Sequence, residues 1–410
     1  MLRPTLLARS AVVLIAGAAI LAPCASSAQA SSAPHKPLAA AAAAKFAAFN
    51  GDSCVPSDNS ADPYFCEAIG IWLNGSYLSG LTEFSNGKQG WGQPAVVPVP
   101  PRANQALFEN EVSCATVTSE LPDCLFVGDH YNYNQNPAQL AEWGTANGFQ
   151  VVDWRNPKGA TTSGLEDVSC PSARFCVTTG YAGTPRKYRA TWFTWNGTRL
   201  AAKTIPEPAR SHDSELGALS CPSTTKCIAL GSYLTSAGKS RAYAEVWASG
   251  KWRIESFPNV AGKQATLAQS ISCPASSECV AAGEVSRSSS SRAFGAVWNG
   301  SKWRLTVLPA GSDASLYGVS CPTTTRCFAS GLTGRAALLE SWNGSSWRKM
   351  TAARTPAPRN ADSLQHVSCV SPTHCVAVGY RYNPKKTDSD LTLVEVWNGS
   401  SWKVQAALNN

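Results

Sequence analysis

Apolar and polar positions alternate along this chain in short runs, and the runs recur as a unit. The best-preserved unit opens with an apolar run ending in Val-Ser-Cys, turns through Pro-Ser/Thr and three further residues, and resumes as a run such as Cys375-Val376-Ala377-Val378-Gly379. A polar loop follows, then a third run ending in Val-Trp, an Asn-Gly turn and a last run such as Ser401-Trp402-Lys403-Val404. Period-two alternation over short runs marks half-buried strands, so each unit predicts four of them. No unit holds an apolar stretch of helical length with a 3.6-residue period, which excludes helical repeats.

The unit occurs seven times. Its first cysteines stand at 54, 114, 170, 221, 273, 321 and 369, in steps of 60, 56, 51, 52, 48 and 48 residues. Repeats of this length belong to solenoids, propellers or arrays, and four short strands make one propeller blade. The expected fold class is all-β: a seven-bladed β-propeller of four-stranded antiparallel blades, closing as one domain over residues 47–410.

Asn-Gly between alternating apolar residues predicts a two-residue type I′ hairpin turn, here in VWNGSKW, SWNGSSW and VWNGSSW. With Asn299-Gly300 as the loop, Trp298 is expected to face Ser301 and Trp303 to face Ala296, leaving the two indoles diagonal neighbours. Trp342 with Trp347 and Trp397 with Trp402 repeat the pattern. Ser249-Gly250 shifts the turn and puts Trp247 opposite Trp252, while Trp195 has Leu200 as its partner. Indoles recurring in nearly every repeat are expected to pack between blades rather than to stack on sugar.

These features resemble secreted bacterial β-propellers over residues 47–410, and the W-N-G-S-x-W hairpin is similar to the Asp-box turn of sialidase-type propellers. Asn343 and Asn398 stand where the Asp-box has its aspartate, and the F/Y-R-I-P segment of sialidases is absent. The resemblance therefore implies the blade and not the sialidase reaction.

Composition changes the picture in one respect, the compartment. Of 410 residues, 44% are hydrophobic and 15% charged, with 31 Gly, 26 Pro and 14 Trp. Charge-driven disorder is excluded, and turn formers and rigid aromatics suit many short strands. Residues 1–30 read as a signal peptide: Arg3 and Arg9, an apolar stretch from Ala11 to Leu21, and Ala28-Gln29-Ala30 as cleavage site. Residues 31–46 read as an Ala-rich linker. Leu21-Ala22-Pro23-Cys24 resembles a lipobox, but Pro23 departs from that pattern, so secretion is expected over lipid anchoring through Cys24. Losing Arg3 and Arg9 takes the net charge from +8 to +6. No second apolar run is long enough to cross a membrane as a helix.

Fifteen cysteines less Cys24 leave fourteen, in seven close pairs: Cys54–Cys66, Cys114–Cys124, Cys170–Cys176, Cys221–Cys227, Cys273–Cys279, Cys321–Cys327 and Cys369–Cys375. An exported chain with evenly paired cysteines favours one disulfide per repeat. The spacing is not that of a zinc site, and five histidines cannot complete seven sites. No metal or cofactor is expected.

In a meander, the loops joining strands 2 to 3 and 4 to 1 lie on one face of the ring, and here they vary in length and chemistry, which marks a binding face. Asp129, His130, Tyr131 and Tyr133 fall there in the second repeat. The later repeats place Arg186, Lys187, Arg189, Arg241, Arg381, Lys385 and Lys386 there, a basic rim suited to an anionic polymer. The expected function is a secreted, monomeric, non-catalytic binding or scaffolding module for an extracellular polysaccharide, cell-wall glycan or protein, with nucleic acid excluded by export and dispersed charge. No G-x-S-x-G elbow or H-E-x-x-H motif occurs. The alternative is a carbohydrate-active enzyme using funnel carboxylates such as Asp129 and Glu284, each directly after the Gly near the end of a second strand.

Overall fold

The computed structural model describes residues 46–405, apart from 58–62, 75–76, 86–90, 93–94, 98–104, 116–121, 132–135, 146–147, 154, 204, 249, 261–264, 288–289, 335, 354–361 and 383–389. The signal-peptide, linker and Cys24 readings lie outside these residues, Phe46 excepted. Seven sheets of four consecutive antiparallel strands form seven blades. Blade 3 is representative, with strands Thr162–Ser172, Phe175–Thr184, Lys187–Trp195 and Leu200–Lys203. Each blade carries one disulfide across its first hairpin, with Cα atoms 4.0–4.1 Å apart. A cross-link closing so short a loop contributes about 2 kcal/mol in the chain-entropy account.

The first strands are innermost, because each packs on the first strand of the next blade around the whole ring. The serine of every Val-Ser-Cys-type motif makes this contact. Its Oγ accepts the backbone N–H of the first cysteine in the following blade, from Ser53 and Cys114 through Ser320 and Cys369, each at 3.0 Å. Ser368 accepts from Cys54 at 2.9 Å and closes the circle. An innermost strand has one edge without a ladder partner, and these seven bonds satisfy one donor on each such edge.

Every first strand also carries one extra residue where its register slips: Asn50, Asn110, Glu166, Gly217, Gln269, Tyr317 and Gln365. Each is a β-bulge, which bends the strand and re-aims a side chain. The facing residue of the second strand is glycine for a steric reason: a Cβ on Gly231 would lie 1.9 Å from the carbonyl oxygen of Glu215.

The Asn-Gly hairpins correct the two-residue expectation. Trp298 stands directly opposite Trp303, Trp342 opposite Trp347 and Trp397 opposite Trp402, so each loop holds four residues. A type I′ turn needs positive φ at both central positions, yet Gly300 has φ +90° and Asn299 has no positive φ. The asparagine instead caps the loop through its side chain: Asn299 Oδ1 accepts from the N–H groups of Ser301 at 3.2 Å and Lys302 at 3.1 Å. Trp247 faces Trp252, and Trp195 faces Leu200, as expected.

The tryptophans pack between blades. Trp195 meets Trp143 of blade 2, Trp247 meets Phe175 of blade 3, and Trp397 meets Phe328 of blade 6, with ring centroids 5.1–5.8 Å apart. Each of these indoles faces the preceding blade. Such pairs add roughly 0.5–1.5 kcal/mol to the burial of the rings themselves.

Candidate functional site

Two constellations of polar residues form on and beside the innermost strands. The first lies where the ring closes. His366 of blade 7 places Nδ1 2.8 Å from Asp52 Oδ1 in blade 1 and Nε2 3.4 Å from Glu111 Oε2 in blade 2. Gly51 makes room, since a Cβ there would fall 2.4 Å from Glu111 Oε1. Burial raises the Asp52 pKa, and the hydrogen bond and charge of His366 act against it. With both ring nitrogens against carboxylates, the imidazole is a clasp for three blades rather than a base open to substrate.

The second constellation faces the variable side in blades 2 to 4. Asp129 follows Gly128, Glu166 is the bulge residue of blade 3, and Glu215 precedes the bulge of blade 4. Asn110 anchors Asp129, donating to Oδ1 at 3.3 Å and to the Leu165 carbonyl in the next blade at 2.8 Å. Burial first, then the charge of Glu166, pushes Asp129 up to about 7. The same two causes raise Glu215 to about 8 against a hydrogen bond from the Ser232 hydroxyl at 3.0 Å. Tyr181 and Tyr188 cover these acids with ring centroids 5.4 Å apart, and burial followed by neighbouring carboxylates drives both phenols up. A smaller echo sits in blades 5 and 6, where the Ser315 hydroxyl donates to Glu284 and burial, then Glu284, raises Tyr317 to about 12.

Of the residues expected from sequence, Asp129 and Tyr131 belong to this acid–tyrosine cluster, Asp129 being one cause of the raised Tyr131 phenol. His130 is 2% exposed. Arg186 and Lys187 are exposed at the tip of the blade 3 hairpin, beside Tyr188. Arg189 turns to Glu207 at 2.8 Å. Arg241 and Arg381 are half-buried on blades 4 and 7. Tyr133, Lys385 and Lys386 lie outside the described residues. Among those described, no hydrogen bond or ion pair joins Asp129 to Glu284, and no three His, Cys, Asp or Glu side chains are grouped to hold a metal ion.

Glu166, Glu215, Tyr181 and Tyr188 were missed in the sequence. Two signals point to some of them. The bulge residue stands four before the first cysteine in all seven repeats, and Tyr181 occupies the same post-glycine position as Asp129 and Glu284.

No family model matches the chain, and no curated protein matches it in sequence. Solved structures do resemble it. The β-propeller domain of the Trilobed protease from Pyrococcus furiosus is 9% identical, covering 89% of this chain and 97% of that one at a TM-score of 0.52. A protein of unknown function from Dyadobacter fermentans is 9% identical over 88% and 95% at 0.49. The SapL1 lectin in complex with alpha methyl fucoside is 13% identical over 69% and 92% at 0.43. At such identity the first of these shows the propeller fold and nothing of activity. No helix among the described residues is long and apolar enough to cross a membrane.

Proposed function

We propose that the protein is an exported, non-catalytic binding module that holds a glycan on its variable face. The observation that carries this reading is the meeting of Asp129, Glu166 and Glu215, from three blades, beside Tyr181 and Tyr188. Carboxyl groups raised to about 7 and about 8 keep a large protonated share near neutral pH, so they donate as well as accept hydrogen bonds. Tyrosine adds an apolar ring face with a polar tip. Together these suit a polyhydroxylated ring. Exposed Arg186 and Lys187 extend the site toward an anionic polymer. Seven disulfides suit an oxidising, extracellular setting.

A glycan array screened with the mature protein tests the reading, followed by titration of the best hit. Tyr188→Ala should weaken that hit at least tenfold; an unchanged affinity removes the cluster as the site. Neutralising Arg186, Lys187, Lys385 and Lys386 should flatten the salt dependence, because exposed charges are screened over roughly 10 Å at 0.1 M. Each change should alter stability by no more than about 0.5 kcal/mol. Salt-insensitive binding rejects the rim and leaves the acid–tyrosine cluster alone. An Asp129 carboxyl near 7 also matches a general acid at work near neutrality. Release of reducing sugar from the bound glycan, lost in Asp129→Asn, would replace binding by glycoside hydrolysis.

A further inference from the structure

The chain enters blades 3 and 4 through the same turn, which differs between them at the position that sets its shape. Pro157-Lys158-Gly159-Ala160 leads into blade 3, with the Ala160 N–H on the Pro157 carbonyl at 2.9 Å. Pro208-Ala209-Arg210-Ser211 leads into blade 4, with the Ser211 N–H on the Pro208 carbonyl at 3.0 Å. Gly159 and Arg210 each stand eleven residues before the first cysteine of their blade, Cys170 and Cys221. Both have positive φ, +86° at Gly159 and +63° at Arg210, whereas Lys158 and Ala209 do not. That pattern is a type II turn, whose third residue favours glycine. In the sequence of blade 5 the same position, eleven before Cys273, is Gly262.

Arginine is out of place in such a turn. Outside glycine the left-handed region is occupied chiefly by Asn, Asp and His, as at Asp313, the other non-glycine residue with positive φ among those described. No contact inside the fold offsets the strain at Arg210. Its side chain is exposed, and no hydrogen bond or ion pair joins it to the described residues. Two acids stand three residues away on either side, and both have other partners. Glu207 accepts from Arg189 Nη1 at 2.8 Å and from the Ser214 hydroxyl at 2.7 Å. Asp213 accepts the Tyr188 N–H at 3.2 Å and lies 3.0 Å from His212 Nδ1.

We propose that Arg210 reads an anionic substituent, a carboxylate or a sulfate, on the glycan held at the acid–tyrosine cluster. The inference rests on that cluster being the glycan site. Strain retained where the surrounding fold does not need it points to a functional side chain. The guanidinium is near enough, since Asp213, which binds the Tyr188 backbone, is three residues on, a span of at most about 11 Å. A guanidinium presents two parallel N–H donors to the paired oxygens of such a group. The neighbouring Asp129 and Glu215 keep a large protonated share near neutral pH, so a negative group beside them meets weak repulsion.

The test is a glycan array that pairs uronic-acid and sulfated oligosaccharides with their carboxyl-reduced and desulfated counterparts, screened with the mature protein and with Arg210→Gly. Glycine is the residue of the blade 3 turn, so this variant should fold with a Tm no lower than that of the wild type. Arg210→Asn, which tolerates the same φ, serves as a second uncharged variant. The wild type should bind the charged member of a pair about tenfold more tightly or better, the worth of a hydrogen bond to a charged group. Both variants should lose that preference and keep the affinity for the neutral member. Preference for uronic acids assigns the guanidinium to carboxylate, and preference for sulfated chains assigns it to sulfate. Equal binding of charged and neutral members by the wild type, or a preference undiminished in the folded variants, overturns the role of Arg210 and leaves the glycan site standing. Binding of no glycan at all overturns the site and the role of Arg210 together.

Discussion

The seam between blades 4 and 5 and the seam between blades 1 and 2 follow one register and hold different contents. In the first, Trp298 and Trp303 are buried against blade 4 and Phe257. In the second, the matching residues are Gly144 and Phe149, and a cavity stands beside them. A second column touches both regions, present in blades 1, 2 and 4 and interrupted by Ala296 in blade 5. The residue two before that variable position is a buried glutamate in five blades: Glu83, Glu142, Glu245, Glu340 and Glu395. The indole column secures contact with the preceding blade, whereas the glutamate column belongs to the third strand of its own blade. A repeat protein can thus lose one column locally and keep the blade, because stability is a sum of intrinsic and interface terms.

The largest expected effect tests the column that both regions share. Burial pushes Glu245 to about 8 and both Glu340 and Glu395 to about 7. The folded chain then holds protons that unfolded carboxyls, near 4.5, release. Stability is greatest at and below that lower value and falls as pH rises through the window from about 4.5 to about 8. Each proton the folded chain retains steepens that fall by at most about 1.4 kcal/mol for every tenfold drop in proton concentration. Calorimetry should give a higher Tm at pH 5 than at pH 8, with a smaller difference in Glu245→Gln; the reverse order would break the picture of neutral buried acids.

Next come the two seams themselves. Trp298→Ala should cost about 3–5 kcal/mol, the usual range for deleting a buried large aromatic, and half-buried Phe149→Ala roughly 1–2 kcal/mol by area removed from water. Equal losses in denaturant titration would mean that the seam between blades 1 and 2 is packed as tightly as the rest.

The smallest contrast sharpens the comparison at the channel wall, three residues before the first cysteine. His366→Ala leaves the buried Asp52 and Glu111 carboxyls without the ring nitrogens they share and should cost about 3 kcal/mol. Ser270 accepts the Val319 N–H across the seam of blades 5 and 6 at 3.1 Å, and Ser270→Ala should cost only about 1 kcal/mol. A His366→Ala loss no larger than that of Ser270→Ala would remove the clasp as a special feature of ring closure.

Blade number, strand order within a blade and disulfide pairing were legible without coordinates, for one physical reason. All three rest on neighbours in the chain: period-two alternation, turn residues, and cysteines such as Cys170 and Cys176 that can reach only each other across a tight hairpin. The Asn299-Gly300 loop shows the limit even of local reading, since the asparagine satisfied the turn with its side chain instead of adopting positive φ. The rest needed the ring. That Glu166 meets Asp129 and Glu215 and that Ser368 reaches Cys54 across 314 residues are both contacts between blades. No spacing along the chain encodes which residues of neighbouring blades face each other, because that depends on a bulge in each innermost strand and on the closure of the whole circle.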